Sequence, residues 1–168
     1  MKTNIILIGM PGCGKSTCGV LLAKLMLKSF LDTDLLIQQN EGKKLQDIIN
    51  EKGNDYFKKC ENDSVVTLYA QNCVIATGGS IVYNEEAMKH LKELGYVVYL
   101  RLGFNSMKKR IHNLATRGIL LKEGYTLEDM YNERAPLYEK YADITVNCDR
   151  NSINDTVEAI IKNLKSIK

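Results

Sequence analysis

Residues 9–17, GMPGCGKST, place three glycines, a lysine and two hydroxyl side chains close together. The glycines let the main chain turn sharply and approach a ligand, so that its N–H groups can surround an anion. The pattern matches G-x-x-x-x-G-K-[ST], in which Lys15 reaches the β- and γ-phosphates of a nucleotide and Ser16 coordinates Mg²⁺. A simple glycine turn between a strand and a helix would need neither residue. We therefore predict an ATP site formed by Gly12, Cys13, Gly14, Lys15, Ser16 and Thr17.

Two carboxylates follow in the segment LDTD. Asp32 and Asp34 are two positions apart at a predicted strand end, so we expect their side chains to point the same way. One carboxylate can order the water around Mg²⁺ near Ser16, while the other can bind a polyol and take the proton of an attacking hydroxyl. A pair of loop caps is the alternative interpretation. The acidic pair favours an acceptor site facing the γ-phosphate, as in a small kinase.

Three further segments contain candidate binding residues. ATGGS puts Gly78 and Gly79 after a predicted strand, where bare main chain suits a small rigid ligand or simply makes a tight turn. YFKKCE puts Lys58 and Glu61 on one helix face, where they serve a site or form an ion pair. NERAPLYEKYAD contains Arg134, which is either a substrate-binding residue or a surface arginine.

Apolar runs alternate with segments of helical period, and this alternation must position the candidate residues. It predicts one α/β domain over residues 1–168, with a parallel sheet covered on both faces and ligands bound beyond the carboxyl ends of the strands. In the first helix, we expect Val20, Leu21, Ala23, Leu25 and Leu27 to form the apolar stripe. The predicted strands are 4–9, 29–34, 72–79, 96–102 and 142–148, and the predicted helices are 15–28, 44–53, 84–95 and one that begins at Ser152.

Composition limits the remaining function classes. The chain has 168 residues, 45% of them hydrophobic and 26% charged, which is typical of one soluble globular domain. The net charge of +3 is too small to indicate a nucleic-acid or membrane surface. Five cysteines without a C-x-x-C motif, and no signal-peptide pattern, favour reduced thiols in the cytoplasm. We expect a monomer that acts on a small molecule.

These motifs together resemble the shikimate kinase family over essentially the whole chain, through GMPGCGKST, FLDTDLLI, YFKKCE, ATGGSIV, YVVYL, ATRGILL and ERAPLYEKYAD. The resemblance implies a three-layer P-loop kinase fold with a five-stranded parallel sheet flanked by helices. It also implies a mobile lid at about residues 112–124 and an acceptor-binding region at about residues 32–61. The implied reaction transfers the γ-phosphate of ATP, with Mg²⁺, to the 3-hydroxyl of shikimate on the route to chorismate and the aromatic amino acids.

The resemblance also gives roles to individual residues. It makes Asp34 the base that binds the shikimate hydroxyls, and Asp32 the acid near the metal. Arg134 would grip the substrate carboxylate, and Arg117 on the lid would reach the transferring phosphate. The other residues that it implicates are Lys58, Gly78 and Gly79 toward the substrate, and Arg110, Arg150 and Asn151 toward the nucleotide.

Three positions depart from the family pattern. Lys58 stands where the family has an arginine, Ser80 where it has a third glycine, and Gly118 where it has a proline after the lid arginine. A lysine meets a carboxylate as a point charge, whereas an arginine makes two parallel hydrogen bonds. Two alternatives therefore stay open from the sequence: a kinase for another small polyol or hydroxy acid, and a nucleotide-binding module without catalysis.

Overall fold

Five parallel strands form one sheet, in the order β2-β3-β1-β4-β5. We describe residues 2–111 and 118–167 from a computed structural model. Every residue of the central strand β1 is buried, as expected for a parallel sheet covered on both faces. The strands are β1 (Asn4–Ile8), β2 (Ser29–Asp32), β3 (Cys73–Ala76), β4 (Gly95–Arg101) and β5 (Ile144–Asn147).

Helices connect the strands and flank the sheet, which confirms the α/β prediction. The predicted helix end at Gly53 is a break with φ 82°, after which the chain becomes helical again. The last helix begins as predicted, because Ser152 and Asp155 form a reciprocal capping box. None of the helices within residues 2–111 and 118–167 has the length and apolarity needed to cross a membrane. The helices are α1 (Lys15–Met26), α2 (Thr33–Glu41), α3 (Leu45–Val66), α4 (Glu85–Leu94), α5 (Phe104–Arg110), α6 (Leu127–Tyr141) and α7 (Ile153–Ser166), with a 3₁₀ turn at Ile81–Tyr83.

The two aspartates of LDTD do not lie on one strand, so the expectation that they point the same way was wrong. Strand β2 ends at Asp32, and α2 already begins at Thr33. The Asp32 carboxylate caps α2, accepting hydrogen bonds from the main-chain N–H groups of Asp34 at 2.9 Å and Leu35 at 3.4 Å. Asp34 therefore lies in the first helical turn, and the two carboxylates take separate positions.

The buried face of α1 also differs from the prediction. Val20, Leu25 and Leu27 are exposed, while Cys18, Gly19, Leu22 and Ala23 are buried. A Cβ on Gly19 would lie only 2.5 Å from a ring carbon of Phe30 in β2. The close approach of α1 to β2 at Gly19 thus fixes the face of α1 that meets the sheet. The positions of the apolar residues alone do not reveal this face.

A matched pair of substitutions on α1 tests this assignment. Leu22 is fully buried and Leu25 is 56% exposed. We expect Leu22→Ala to lower the free energy of unfolding by about 2–5 kcal/mol, because it leaves a cavity. Leu25→Ala should change it by no more than about 0.5 kcal/mol. Urea unfolding of both variants measures the difference, and equal losses would contradict the assigned face.

A second, smaller hydrophobic cluster joins α2 and α3. It contains Ile37, Leu45, Ile48, Phe57 and Leu120, all buried. Leu120 comes from the segment that follows residues 112–117, so this segment packs between the two helices. The cluster therefore supports the side of the molecule on which Asp34 lies.

Candidate active site

A cavity of about 260 Å³ opens at the carboxyl ends of the strands, where the sequence places the site. The glycine-rich loop 9–14, the start of α2, the middle of α3, the turn after β3 and helix α6 surround it. Ile119 and Leu120 form part of its wall. Of the predicted site residues, the cavity is lined by Gly12, Gly14, Lys15, Ser16, Thr17, Asp34, Gly78, Gly79 and Arg134.

The glycine-rich loop has the main-chain geometry that an anion site needs. Gly12 and Gly14 have φ values of 78° and 95°, a region that residues with a side chain rarely adopt. Gly14 is the N-cap of α1, so the positive end of this helix faces the cavity. The Lys15 Nζ donates hydrogen bonds to the carbonyls of Gly9 at 2.8 Å and Met10 at 3.0 Å. Its charge is thereby held at the loop.

Ser16 and Asp32 bring a hydroxyl and a carboxylate together beside this loop. The Ser16 hydroxyl donates a hydrogen bond of 2.6 Å to Asp32 Oδ2. The other oxygen of Asp32 caps α2, so the Asp32 side chain cannot rotate without loss of the cap. This contact places Asp32 beside the glycine-rich loop, whereas Asp34 lines the cavity.

Asp34 lies against the glycine turn at the other side of the cavity. A Cβ on Gly78 would be 2.8 Å from Asp34 Oδ1, so only glycine leaves room for this carboxylate. Asp34 is half-buried and lines the cavity. Burial, and secondarily the charge of Asp32, raise the pKa of Asp34 to about 6, although Lys15 opposes the shift. Asp34 is therefore a carboxylate that exchanges a proton close to neutral pH.

Glu61 is a second buried carboxylate at the same wall, so of the pair Lys58 and Glu61 it is Glu61 that reaches the cavity. A Cβ on Gly78 would lie 2.6 Å from Glu61 Oε1, so the carboxylates of Asp34 and Glu61 both lie beside this glycine. The alternative interpretation, an ion pair with Lys58, does not hold, because Lys58 pairs with Asp55 and the Ser80 hydroxyl donates a hydrogen bond to Glu61 Oε2. Only the helical spacing of Phe57 and Glu61, both buried on α3, could have indicated that Glu61 faces inward.

Arg134 is buried with 2% of its surface exposed, so it is no surface arginine. Its guanidinium donates to the Leu120 carbonyl at 2.6 Å and to the Tyr83 hydroxyl at 3.3 Å. A Cβ on Gly79 would lie 3.1 Å from Arg134 Nη1. One turn further along α6, the Tyr138 hydroxyl donates to the Gly79 carbonyl at 2.5 Å. Helix α6 therefore fixes both the cation and the glycine turn.

Lys58 is not brought into this cavity. Its Nζ lies 3.9 Å from Asp55, and its side chain is 45% exposed. It lines a neighbouring cavity of about 270 Å³, which shares Leu120 with the candidate site. An exposed pair of this kind contributes about 0–1 kcal/mol, so it does not hold Lys58 firmly.

Arg110, Arg150 and Asn151, which the resemblance assigns to the nucleotide, are not among the residues that line this cavity. Arg110 donates to the Cys148 carbonyl at 3.1 Å, and its Cβ lies 3.5 Å from the position of a Cβ on Gly12. Arg150 and Asn151 are in the exposed loop between β5 and α7, where Asn151 donates to the Asn147 carbonyl at 2.8 Å. Cys13 is buried, so only its main chain can meet a ligand.

Arg117 and the first part of the predicted lid, residues 112–117, lie outside the described residues. Gly118, which follows them, has φ 60°, and a Cβ there would overlap the Leu45 Cβ. A proline has φ near −65° and could not adopt this conformation. The departure from the family pattern at Gly118 thus fits the local packing against α3.

Comparison with known proteins identifies the family. The family model described as shikimate kinase matches residues 11–165. The chain belongs to the shikimate kinase family. It is 37% identical to a shikimate kinase from Clostridium botulinum (strain 657 / Type Ba4) over 98% of this chain and 99% of the relative. It is 34% identical to one from Sulfurihydrogenibium sp. (strain YO3AOP1) over 96% and 98%, respectively.

A solved relative has the same architecture. The structure of a shikimate kinase from Acinetobacter baumannii in complex with shikimate superimposes with a TM-score of 0.90 at 29% identity. The match covers 100% of this chain and 96% of that chain. The three-layer P-loop kinase fold predicted by resemblance is therefore confirmed.

The raised pKa of Asp34 has a consequence for stability. A carboxyl with a raised pKa in the folded state contributes stability below its ordinary pKa, and this contribution is lost as pH rises through about 6. We therefore expect Asp34→Asn to raise the free energy of unfolding at about pH 8 by about 1–3 kcal/mol, because it removes a buried charge. The gain should vanish below about pH 4, where both side chains are neutral.

Urea unfolding at several pH values measures this effect. Asp47 provides the control, because it is an exposed acid in the first turn of α3, much as Asp34 is in the first turn of α2. Asp47→Asn should give no gain at high pH. A loss of stability in Asp34→Asn at high pH would mean that the surroundings of Asp34 favour its ionised form.

Proposed function

We propose that this protein transfers the γ-phosphate of ATP to the 3-hydroxyl of shikimate. The observation that supports this most is that Lys15, Asp34 and Arg134 line one small cavity next to an anion-binding loop. A nucleotide-binding module without an acceptor would need neither a buried base nor a buried arginine there. Membership in the family, and the relative solved with shikimate, support the choice of acceptor.

The cavity suits an acceptor that has both hydroxyls and a carboxylate. Arg134 offers a fixed guanidinium for the carboxylate of the acceptor, because its hydrogen bonds to the Leu120 carbonyl and the Tyr83 hydroxyl hold it in place. Asp34 lies across the glycine turn, where it can accept hydrogen bonds from the hydroxyls. The bare main chain of Gly79 leaves room for a rigid ring between them.

In the proposed reaction, the acceptor hydroxyl oxygen attacks the γ-phosphorus while its proton passes to Asp34. The bond between the γ-phosphorus and the β–γ bridging oxygen breaks, and ADP leaves. A base with a pKa of about 6 suits this task near neutral pH. Lys15 offsets the negative charge on the phosphates, and most of the catalysis comes from positioning and charge.

The residues present fit a bound Mg²⁺. Ser16 and Asp32 offer a hydroxyl and a carboxylate in contact with one another, and Mg²⁺ prefers a few such oxygen ligands together with water and phosphate. When bound, the ion would neutralise charge on the phosphates. We assign Arg110, Arg150 and Asn151 to the nucleotide and Arg117 to the transferring phosphate, as the family resemblance implies.

The proposal includes a reducing compartment and a monomeric enzyme. All five cysteines are free thiols, and four of them are buried, which suits the cytoplasm. Gel filtration of the purified chain tests the monomer directly.

An assay of ADP release with and without shikimate tests the proposed function, and Asp34→Asn tests its base. We expect shikimate-dependent turnover to fall by about 10²–10⁴-fold in this variant, because the amide cannot take the proton. In the unmodified protein, turnover should decline as pH falls through about 6, since protonated Asp34 is no base.

The outcomes separate the alternatives. ADP release that another polyol stimulates but shikimate does not would assign a different acceptor, and no stimulation by any acceptor would indicate a binding module. If Asp34→Asn changes only the Mg²⁺ requirement, Asp34 is a metal-side residue. The same variant is expected to be no less stable than the original, so that unfolding would not explain lost turnover.

Lys58→Arg tests whether Lys58 reaches the substrate. The weak pair with Asp55 leaves Lys58 free to turn toward a carboxylate, where an arginine would add a second hydrogen bond. We expect Lys58→Arg to lower the KM for shikimate by about tenfold, since a hydrogen bond to a charged group contributes about 1.5–3 kcal/mol. The KM for ATP should stay nearly unchanged.

Lys59→Arg is the matched control, because Lys59 lines a different cavity on the other side of α3. It should leave both constants unchanged. Steady-state kinetics with shikimate varied at saturating ATP gives the result. An unchanged shikimate KM in Lys58→Arg would mean that Lys58 only pairs with Asp55.

A further inference from the structure

Glu61 is a buried carboxylate for which the proposed reaction has no use. It lies in the middle of α3 with 5% of its surface exposed, and it lines the candidate active site. Its Oε1 atom and Asp34 Oδ1 both lie beside Gly78. A polyol in this cavity would therefore meet two carboxylates beside the same glycine.

Groups on several neighbouring elements act on the Glu61 carboxylate. Burial raises the pKa of Glu61 to about 7, and Asp34 on α2 adds to the increase. The hydrogen bond from Ser80 has the opposite effect, as do the charges of Arg134 on α6 and Lys58 on α3. Within residues 2–111 and 118–167, Ser80 Oγ is the hydrogen-bond donor to this carboxylate.

Ser80 is one of the three positions at which the chain departs from its family. A glycine, which the family pattern has there, offers no hydroxyl to Glu61. The main chain of Ser80 has ordinary helical angles, φ −88° and ψ −5°, so its conformation does not require a glycine. Ser80 is 6% exposed and follows directly after Gly79, so that its side chain meets Glu61 beneath the glycine turn.

We propose that Ser80 is a positioning residue, whose hydroxyl holds Glu61 Oε2 so that Oε1 stays at the Gly78 wall as a second hydrogen-bond acceptor for the substrate hydroxyls. The carboxylate held in this way also faces Arg134 and offsets part of its buried charge. Ser80 thus acts through Glu61 and has no contact with the reacting atoms. The effect on the acceptor rests on the proposed function, whereas the hold on Glu61 does not.

Removal of the hydroxyl tests both parts. In ligand-free protein, a carboxyl ¹³C NMR titration, assigned with Glu61→Gln, gives the titration midpoint of Glu61. We expect Ser80→Ala, and independently Ser80→Gly, to move this midpoint upward by about one pH unit, because a hydrogen bond to the ionised form is lost. The KM for shikimate should rise about three- to tenfold while the KM for ATP stays unchanged.

Two further variants separate positioning from general packing. Ser80→Thr keeps the hydroxyl and should restore both values. Ser64→Ala is a matched control, because the Ser64 hydroxyl donates to the main-chain carbonyl of Glu61 at 2.8 Å and leaves its carboxylate untouched. It should change neither value.

An unchanged midpoint in Ser80→Ala and Ser80→Gly, or an equal shift in Ser64→Ala, would overturn the proposal. A shifted midpoint with an unchanged shikimate KM would overturn the role toward the acceptor. If the unmodified protein shows no shikimate-dependent turnover, the proposed function fails. The midpoint in the ligand-free protein still decides whether Ser80 holds Glu61.

Discussion

The site depends on the absence of side chains at Gly78 and Gly79. Two carboxylates occupy the space that a Cβ on Gly78 would need, and a guanidinium approaches the corresponding space at Gly79. Three helices can deliver charged groups to one turn only because the turn itself takes so little room. The hydrogen bond from Tyr138 to the Gly79 carbonyl then holds the turn against α6.

Acidic and basic side chains lie close together around this turn. Asp34 and Glu61 are held where burial disfavours their ionised forms, and both have raised pKa values. Lys15 and Arg134 supply positive charge nearby, and they partly compensate this effect. In the proposed reaction, such a balance would keep a carboxylate available as a base near neutral pH and leave a cation for an anionic acceptor.

Packing outside the cavity determines how firmly these groups are held. Leu120 packs with Leu45 and Phe57 in the small cluster on α2 and α3, and its carbonyl accepts a hydrogen bond from Arg134. The segment after residues 112–117 is thereby joined to both the acceptor side and α6. The conformation of Gly118 belongs to the same packing, since a side chain there would overlap Leu45.

The sequence by itself determined the α/β fold and the glycine-rich loop. It also selected Asp34, Gly78, Gly79 and Arg134, which line the cavity, because each is encoded by local spacing or by a motif. It did not determine which face of α1 is buried, since a close approach at Gly19 decides this. Nor did it separate Asp32 from Asp34, because the start of α2 depends on a cap. Only the tertiary structure turned Lys58 outward and joined Glu61 to Ser80, since that contact links residues 19 positions apart in the chain.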